Sequence, residues 1–155
     1  MFNELLVCLD GSPLAEQILP YATEQALRFK SKVTLLQVVA IPSTIAAISA
    51  TGVPPPSTEN IIKEEVQQEM IKAKEYLEHK AQPLRKKGLD VTCVCLEGLP
   101  GDTIVSYAAT KTIDLIAIAT HGRSGLKRLV FGSVTEHVLR ESGIPILIIK
   151  PQEKK

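Results

Sequence analysis

The stretch "DLIAIATHGRSGLKRLVFGSVTEHVLR" (residues 114–140) decides how this chain is wound. Five of its first six residues are apolar, which reads as a short strand buried on both faces. The chain then crosses Gly122, Gly125 and Gly132 together with Arg123, Lys127 and Arg128, and helical spacing resumes at Ser133. A buried strand, a glycine-rich crossing and a new helix make one unit of a parallel α/β sheet. Glycines admit positive φ and let a ligand approach the main chain with no Cβ in the way. Backbone N–H groups around Gly122, and at the helix start by Gly132 and Ser133, suit phosphate oxygens, and the helix adds about half a positive charge there. The same residues also have a plainer reading. Ser133 and Glu136 are spaced as a capping box, Gly125 serves as a turn, and Lys127 and Arg128 as a solvated face. Capping and phosphate contact are compatible at Ser133.

Working outward, "ELLVCLD" is a first strand that stops at "GSP", where Ser12 caps a helix opened by Pro13. That helix is expected to reach Phe29, with Leu14, Ile18, Ala22, Ala26 and Phe29 on one stripe. "SKVTLLQVVA" is a second strand. The segment from Ile41 to Asn60, with its triple proline Pro54 to Pro56, reads as a long variable loop, a flap that ligand binding would order. From Ile61 a long helix carries Ile62, Val66, Met70, Ala73, Leu77, Ala81 and Leu84 inward and Lys63, Glu64, Lys74, Glu75 and Lys80 outward. Pro83 is expected to kink or end it. "DVTCVCLEG" is a third strand, "GDTIVSYAAT" a helix capped by Asp102, and "PILIIK" the last strand, before a frayed, charged tail.

The 155 residues suit one domain, and 45% hydrophobic composition with six aromatics and no Trp suits an aliphatic core between parallel strands and helices. A formal net charge of +1 gives no global field to draw nucleic acid or an anionic membrane. No stretch reads as a membrane span, and "MFNELLVCLDGS" meets an acid and a turn too early for a secretory signal. A cytoplasmic protein is expected. Three cysteines are a poor disulfide framework. Cys93 and Cys95 share a strand face as a soft-metal pair would, but no nearby His or further Cys completes such a site, so both are expected as buried small hydrophobes.

Loops after parallel strands gather at one sheet edge, where ligands bind at the reversal of winding. "CLDGSP" and the 119–136 segment meet there only if the strand order is 3-2-1-4-5.

On these residues the chain resembles the universal stress protein family, in the branch marked by G-x2-G-x9-G followed by Ser or Thr. The pattern here reads Ala119, Gly122, Gly132, Ser133, and the likeness extends through "LLVCLDGSPLAE" and "THGRSGLKRLVFGSVTEHVLRESGIPILIIK". The resemblance implies a Rossmann-like, adenine nucleotide alpha hydrolase-like fold: a three-layer α/β sandwich over residues 1–151, with a variable loop at 41–60 and a tail at 152–155. It implies ATP and Mg2+ as cofactors. Asp10 and the backbone of Val38 would then face adenine, and Cys8 and Leu9 would line the pocket near the ribose. Ala119 would lie beside the ribose in a binding stretch running from Ile118 through Thr120 and His121. Gly122, Gly132, Ser133, Val134 and Thr135 would surround the triphosphate.

Ala119 departs from the family glycine; its methyl costs little at negative φ and about 1 kcal/mol at positive φ. Asp10 also reads as a turn carboxylate, His121 as a brace of its loop, and His79 and His137 as incidental. The resemblance further implies a homodimer through the final strand (145–150) and a stress-response or regulatory module. Without a G-x-x-x-x-G-K-[ST] loop or a clear second acid, efficient hydrolysis is not implied. The alternative is a nucleotide-independent dimeric interaction module of the same fold. A phospho-receiver is excluded, since the third strand ends in "CLEG" with no aspartate to phosphorylate.

Overall fold

The computed structural model of the chain describes residues 1–41, 56–120 and 132–153, with backbone alone for 56–58. In chain order the elements are β1 (Glu4–Leu9), α1 (Pro13–Glu16), α2 (Leu19–Phe29), β2 (Lys32–Ala40) and α3 (Pro56–Lys86). There follow β3 (Val91–Gly98), α4 (Pro100–Thr110), β4 (Leu115–Ala119), α5 (Ser133–Glu141) and β5 (Ile146–Ile149). All strand pairs are parallel, in the order β3-β2-β1-β4-β5. This is the three-layer α/β architecture expected from the alternation of elements. Leu5, Val7, Leu35 and Leu115 bury one sheet face against Ala22 and Ala26 of α2 and Leu77, Ala81 and Leu84 of α3. Leu6, Leu36, Ile116 and Ile118 bury the other against Ile104 and Ala108 of α4 and Val138 of α5. Each strand alternates between two covered faces, which is why its residues are apolar almost without interruption.

Prolines redraw several expected boundaries. The helix expected from Ser12 to Phe29 is two pieces, because Pro20 has no N–H to offer the carbonyl of Glu16. Gln17 and Ile18 instead make tight bonds to Leu14 O and Ala15 O at 3.3 and 3.2 Å, and α2 restarts with Ala22 N on Ile18 O at 2.9 Å. The break has a use: the Gln17 amide donates to Gln152 O at 2.8 Å and accepts from Gln152 N at 2.9 Å. The tail expected to fray is therefore tied down at Gln152. The expected loop at 41–60 is shorter than supposed, since α3 opens at Pro56, where a missing N–H costs nothing. The rest of that segment, and the expected flap with it, lies outside the described residues.

Pro83 does not end α3. It falls within a turn of the terminus, and the last turn is held from three sides. Leu84 is buried, Arg85 Nη2 donates to Val91 O at 2.9 Å, and Gly88 at φ +90° closes the helix. Leu89 N reaches Leu84 O and Gly88 N reaches Arg85 O, the paired bonds of a Schellman ending. The inward stripe matches expectation from Ala73 to Leu84. Lys80, expected on the wet face, instead reaches Glu16 of α1 at 2.9 Å, and Tyr76 Oη donates to the same carboxylate at 2.9 Å. Burial and this hydrogen bond push the Tyr76 hydroxyl pKa up. Asp102 does not cap α4. Leu99 holds that position without a side-chain bond, and Asp102 in the first turn meets His137 Nε2 of α5 at 2.8 Å. His137 is thus a link between two helices, not an incidental residue.

Candidate functional site

The winding reverses between β1 and β4, and a cavity of about 490 Å³ opens beyond their C-terminal ends. Beneath it, the loop after β1 turns on Gly11 at φ +82°. Asp10 Oδ1 accepts from Ser12 N at 2.9 Å, and Ser12 Oγ accepts from Ala15 N at 3.2 Å. Ser12 is therefore the cap of α1, as its place before Pro13 predicts, while Asp10 makes the turn and lies on the cavity wall.

On the other side stands the start of α5. The S-x-x-E spacing does not form a capping box. Gly132 takes the extended N-cap conformation (φ −65°, ψ 157°), which makes Ser133 the first helical residue and puts Glu136 one position too late to reach back. Glu136 pairs with Arg140 instead. Among the described residues no side chain caps the helix, and its N-terminal dipole faces the cavity at Gly132 and Ser133. Thr135 is buried, and its hydroxyl donates to Ala119 O at 3.3 Å, fastening α5 to the end of β4.

Ala119 is the last residue of β4, in register with Ile149. The described non-glycine residues with positive φ are Phe2, Lys30 and Thr112. Ala119 is not among them, so its methyl carries no backbone strain. Cys8 sits on the wall with only 6% of its surface exposed, and burial pushes its thiol up to about 12. It stays protonated at neutral pH and acts as an apolar surface, not a nucleophile.

Of the residues singled out from the sequence, Cys8, Leu9, Asp10, Val38, Ile118, Ala119, Gly132, Ser133, Val134 and Thr135 all line this one cavity. Thr120 does not; it is buried behind β4, donating its N–H to Ile149 O at 2.9 Å. His121 and Gly122 lie outside the described residues. The sequence reading missed Leu36, Gln37, Val39 and Ala40, which flank Val38 on β2, and Ala15 beside the Ser12 cap. Their signal was available, since β2 runs past the end of β1. It also missed Glu69 of α3 and Pro100 and Ile104 of α4, which packing alone brings to the wall. Among the described residues Gln37 Oε1 is buried without a hydrogen-bond partner. The described wall is thus apolar at Cys8, Leu36, Val38, Ile104 and Ile118, and ends at open helix N–H groups.

A model of the universal stress protein family matches residues 1–150. The chain belongs to the universal stress protein family. Universal stress protein MJ0531 of Methanocaldococcus jannaschii is 30% identical over all of this chain and 86% of its own length. The solved structure of MJ0577, a universal stress protein from the same organism, superimposes with a TM-score of 0.83 at 28% identity, covering 99% of each chain. A universal stress protein solved in complex with cAMP shares the fold, with a TM-score of 0.62 at 20% identity over 97% of this chain and 98% of that one. Among the described residues no helix is long and apolar enough to cross a membrane.

Proposed function

We propose that this universal stress protein binds ATP with Mg2+ in the cavity between β1 and β4, and serves as a nucleotide-dependent regulatory module in the cytoplasm. The observation that carries this reading is the start of α5, which no described side chain caps, at a cavity whose other end is an apolar slot. An adenine fits the slot formed by Cys8, Val38 and Ile118 by surface chemistry, with Asp10 and Gln37 supplying acceptors for its amino group. The phosphates take the main-chain donors at Ser133 and Val134, whose N–H groups have no intrahelical acceptor. The cAMP complex supports an adenine nucleotide as a ligand of this fold.

Mg2+ keeps most of its water and binds phosphate oxygens with one or two carboxylates. Asp10 and Glu69 are the carboxylates on the wall, and among the described residues no group of three His, Cys, Asp or Glu encloses a cation position. The ion would arrive with the nucleotide and neutralise phosphate charge. Three free cysteines accord with a reducing compartment.

The same reading makes the protein a homodimer through β5. This strand is a sheet edge whose four aliphatic residues are only half-buried. Pro145 O and Ile149 O accept from Ile116 N and Thr120 N, so the odd-numbered residues face β4 and the N–H groups of Ile146 and Ile148 point outward.

Thermal unfolding followed while ATP, AMP and GTP are titrated tests the nucleotide. ATP at a hundred times its Kd should stabilise the fold by about 2.7 kcal/mol. Gly132→Val, whose backbone conformation any residue adopts, should keep the unliganded midpoint and lose the ATP response. An unchanged response would move the site elsewhere, and no response to any nucleotide would favour the nucleotide-independent dimeric module.

A further inference from the structure

On the sheet face away from Cys8, a second cluster of sulfur lies under α3. Cys93 and Cys95 occupy alternate positions of β3, so both side chains stand on the face covered by α3, roughly 6.6 Å apart along the strand. Both are half-buried rather than buried, unlike Cys8, and β3 is the outer strand of the sheet. A pair of cysteines alone completes no site. The fold supplies what the spacing lacked: Met70 of α3 places its Sδ 3.4 Å from Cys95 Sγ.

We propose that Cys93, Cys95 and Met70 form a binding site for a soft monovalent metal ion, with copper(I) or silver(I) as the class it takes. Thiolate and thioether sulfur select such ions over magnesium, calcium or manganese. Zinc favours four nitrogen, sulfur or carboxylate ligands in a structural site. Here there are three sulfurs, and no set of three His, Cys, Asp or Glu gathers among the described residues. The surroundings suit a bis-thiolate. Arg85 Nη2 lies 4.0 Å from Cys93 Sγ, and Lys74 acts on Cys95 from the same helix, so two cations flank the negative charge that metal binding creates. Glu78 opposes them with its negative charge and is itself engaged by Arg85 at 2.6 Å.

Burial holds the free thiols protonated, Cys93 up to about 11. Binding releases one proton from each cysteine to solvent as its sulfur–metal bond forms, while Met70 donates a lone pair and loses none. No oxidation state changes. None of the three sulfur residues lines the nucleotide cavity, so the site can succeed or fail independently of the function proposed above.

Anaerobic titration of the full chain with copper(I), in competition with a chromogenic copper(I) chelator, tests it. One ion per chain is expected, with Cys93 and Cys95 protected from alkylation. The double variant Cys93→Ser with Cys95→Ser should lose binding. Met70→Leu conserves volume and both thiols, and should weaken binding roughly tenfold or more, at least the effect of removing an outer-shell partner. Full affinity in either variant overturns the proposal, as does zinc(II) binding at the same residues as tightly as copper(I). Should the double variant unfold, Met70→Leu alone decides.

Discussion

Gly101 sits directly beneath His137: a Cβ built at residue 101 would come within 2.7 Å of Cδ2 and 2.9 Å of Cγ. These atoms belong to the base of the ring, which the 2.8 Å bond to Asp102 holds in place, so they cannot swing aside cheaply. Gly101→Ala should therefore destabilise by about 1–3 kcal/mol, as overpacking does, although alanine favours a helix over glycine by about 1 kcal/mol. Guanidinium unfolding of the double variant with His137→Ala should recover most of that loss. An equal cost of alanine in both backgrounds would mean that the ring contact is not its cause. None of this was legible from "GDTIV", where Asp102 looks like an ordinary cap. The partner that redirects it lies on another helix. Ser133 misled in the same way, because the extended conformation of Gly132 moved the cap by one residue.

At the scale of elements, helix ends were the least legible and proline was the reason. Pro20 interrupts a stripe whose apolar spacing runs on unbroken, whereas Pro83 does not end its helix, because buried Leu84 and the Schellman turn anchor the residues that follow it. Two of the left-handed helix ends make a paired prediction. Gly88 takes φ +90° with open space around its missing Cβ, so Gly88→Ala should cost roughly 1 kcal/mol from backbone conformation alone. Lys30 takes φ 56° at the end of α2 with a side chain, so Lys30→Gly should leave stability unchanged or raise it by up to about 1 kcal/mol. Urea midpoints of the two variants should move in opposite directions or, for Lys30→Gly, stay still. Equal losses would show that neither end is governed by its backbone angle.

For the whole molecule, the outward N–H groups of β5 offer a cut that leaves the fold alone. Ile148→Pro removes a donor on the uncovered side of the sheet, where proline is tolerated, and spares the bonds to β4. Sedimentation should find the parent dimeric and the variant monomeric, with similar far-ultraviolet circular dichroism. A variant that remained dimeric would place the interface elsewhere. Strand identity and the parallel sheet followed from the sequence by itself, whereas the ten residues found on the cavity wall were named through the family resemblance. Burial on both faces demands unbroken apolar runs, and a reversal of winding at β1 and β4 brings their loops together. Only the tertiary structure decided that Gly132 takes the N-cap place of α5, that Glu69, Pro100 and Ile104 line the cavity, and that Met70 stands over Cys95. Those contacts join residues on separate elements, and their spacing along the chain holds no record of the distances that packing sets between them.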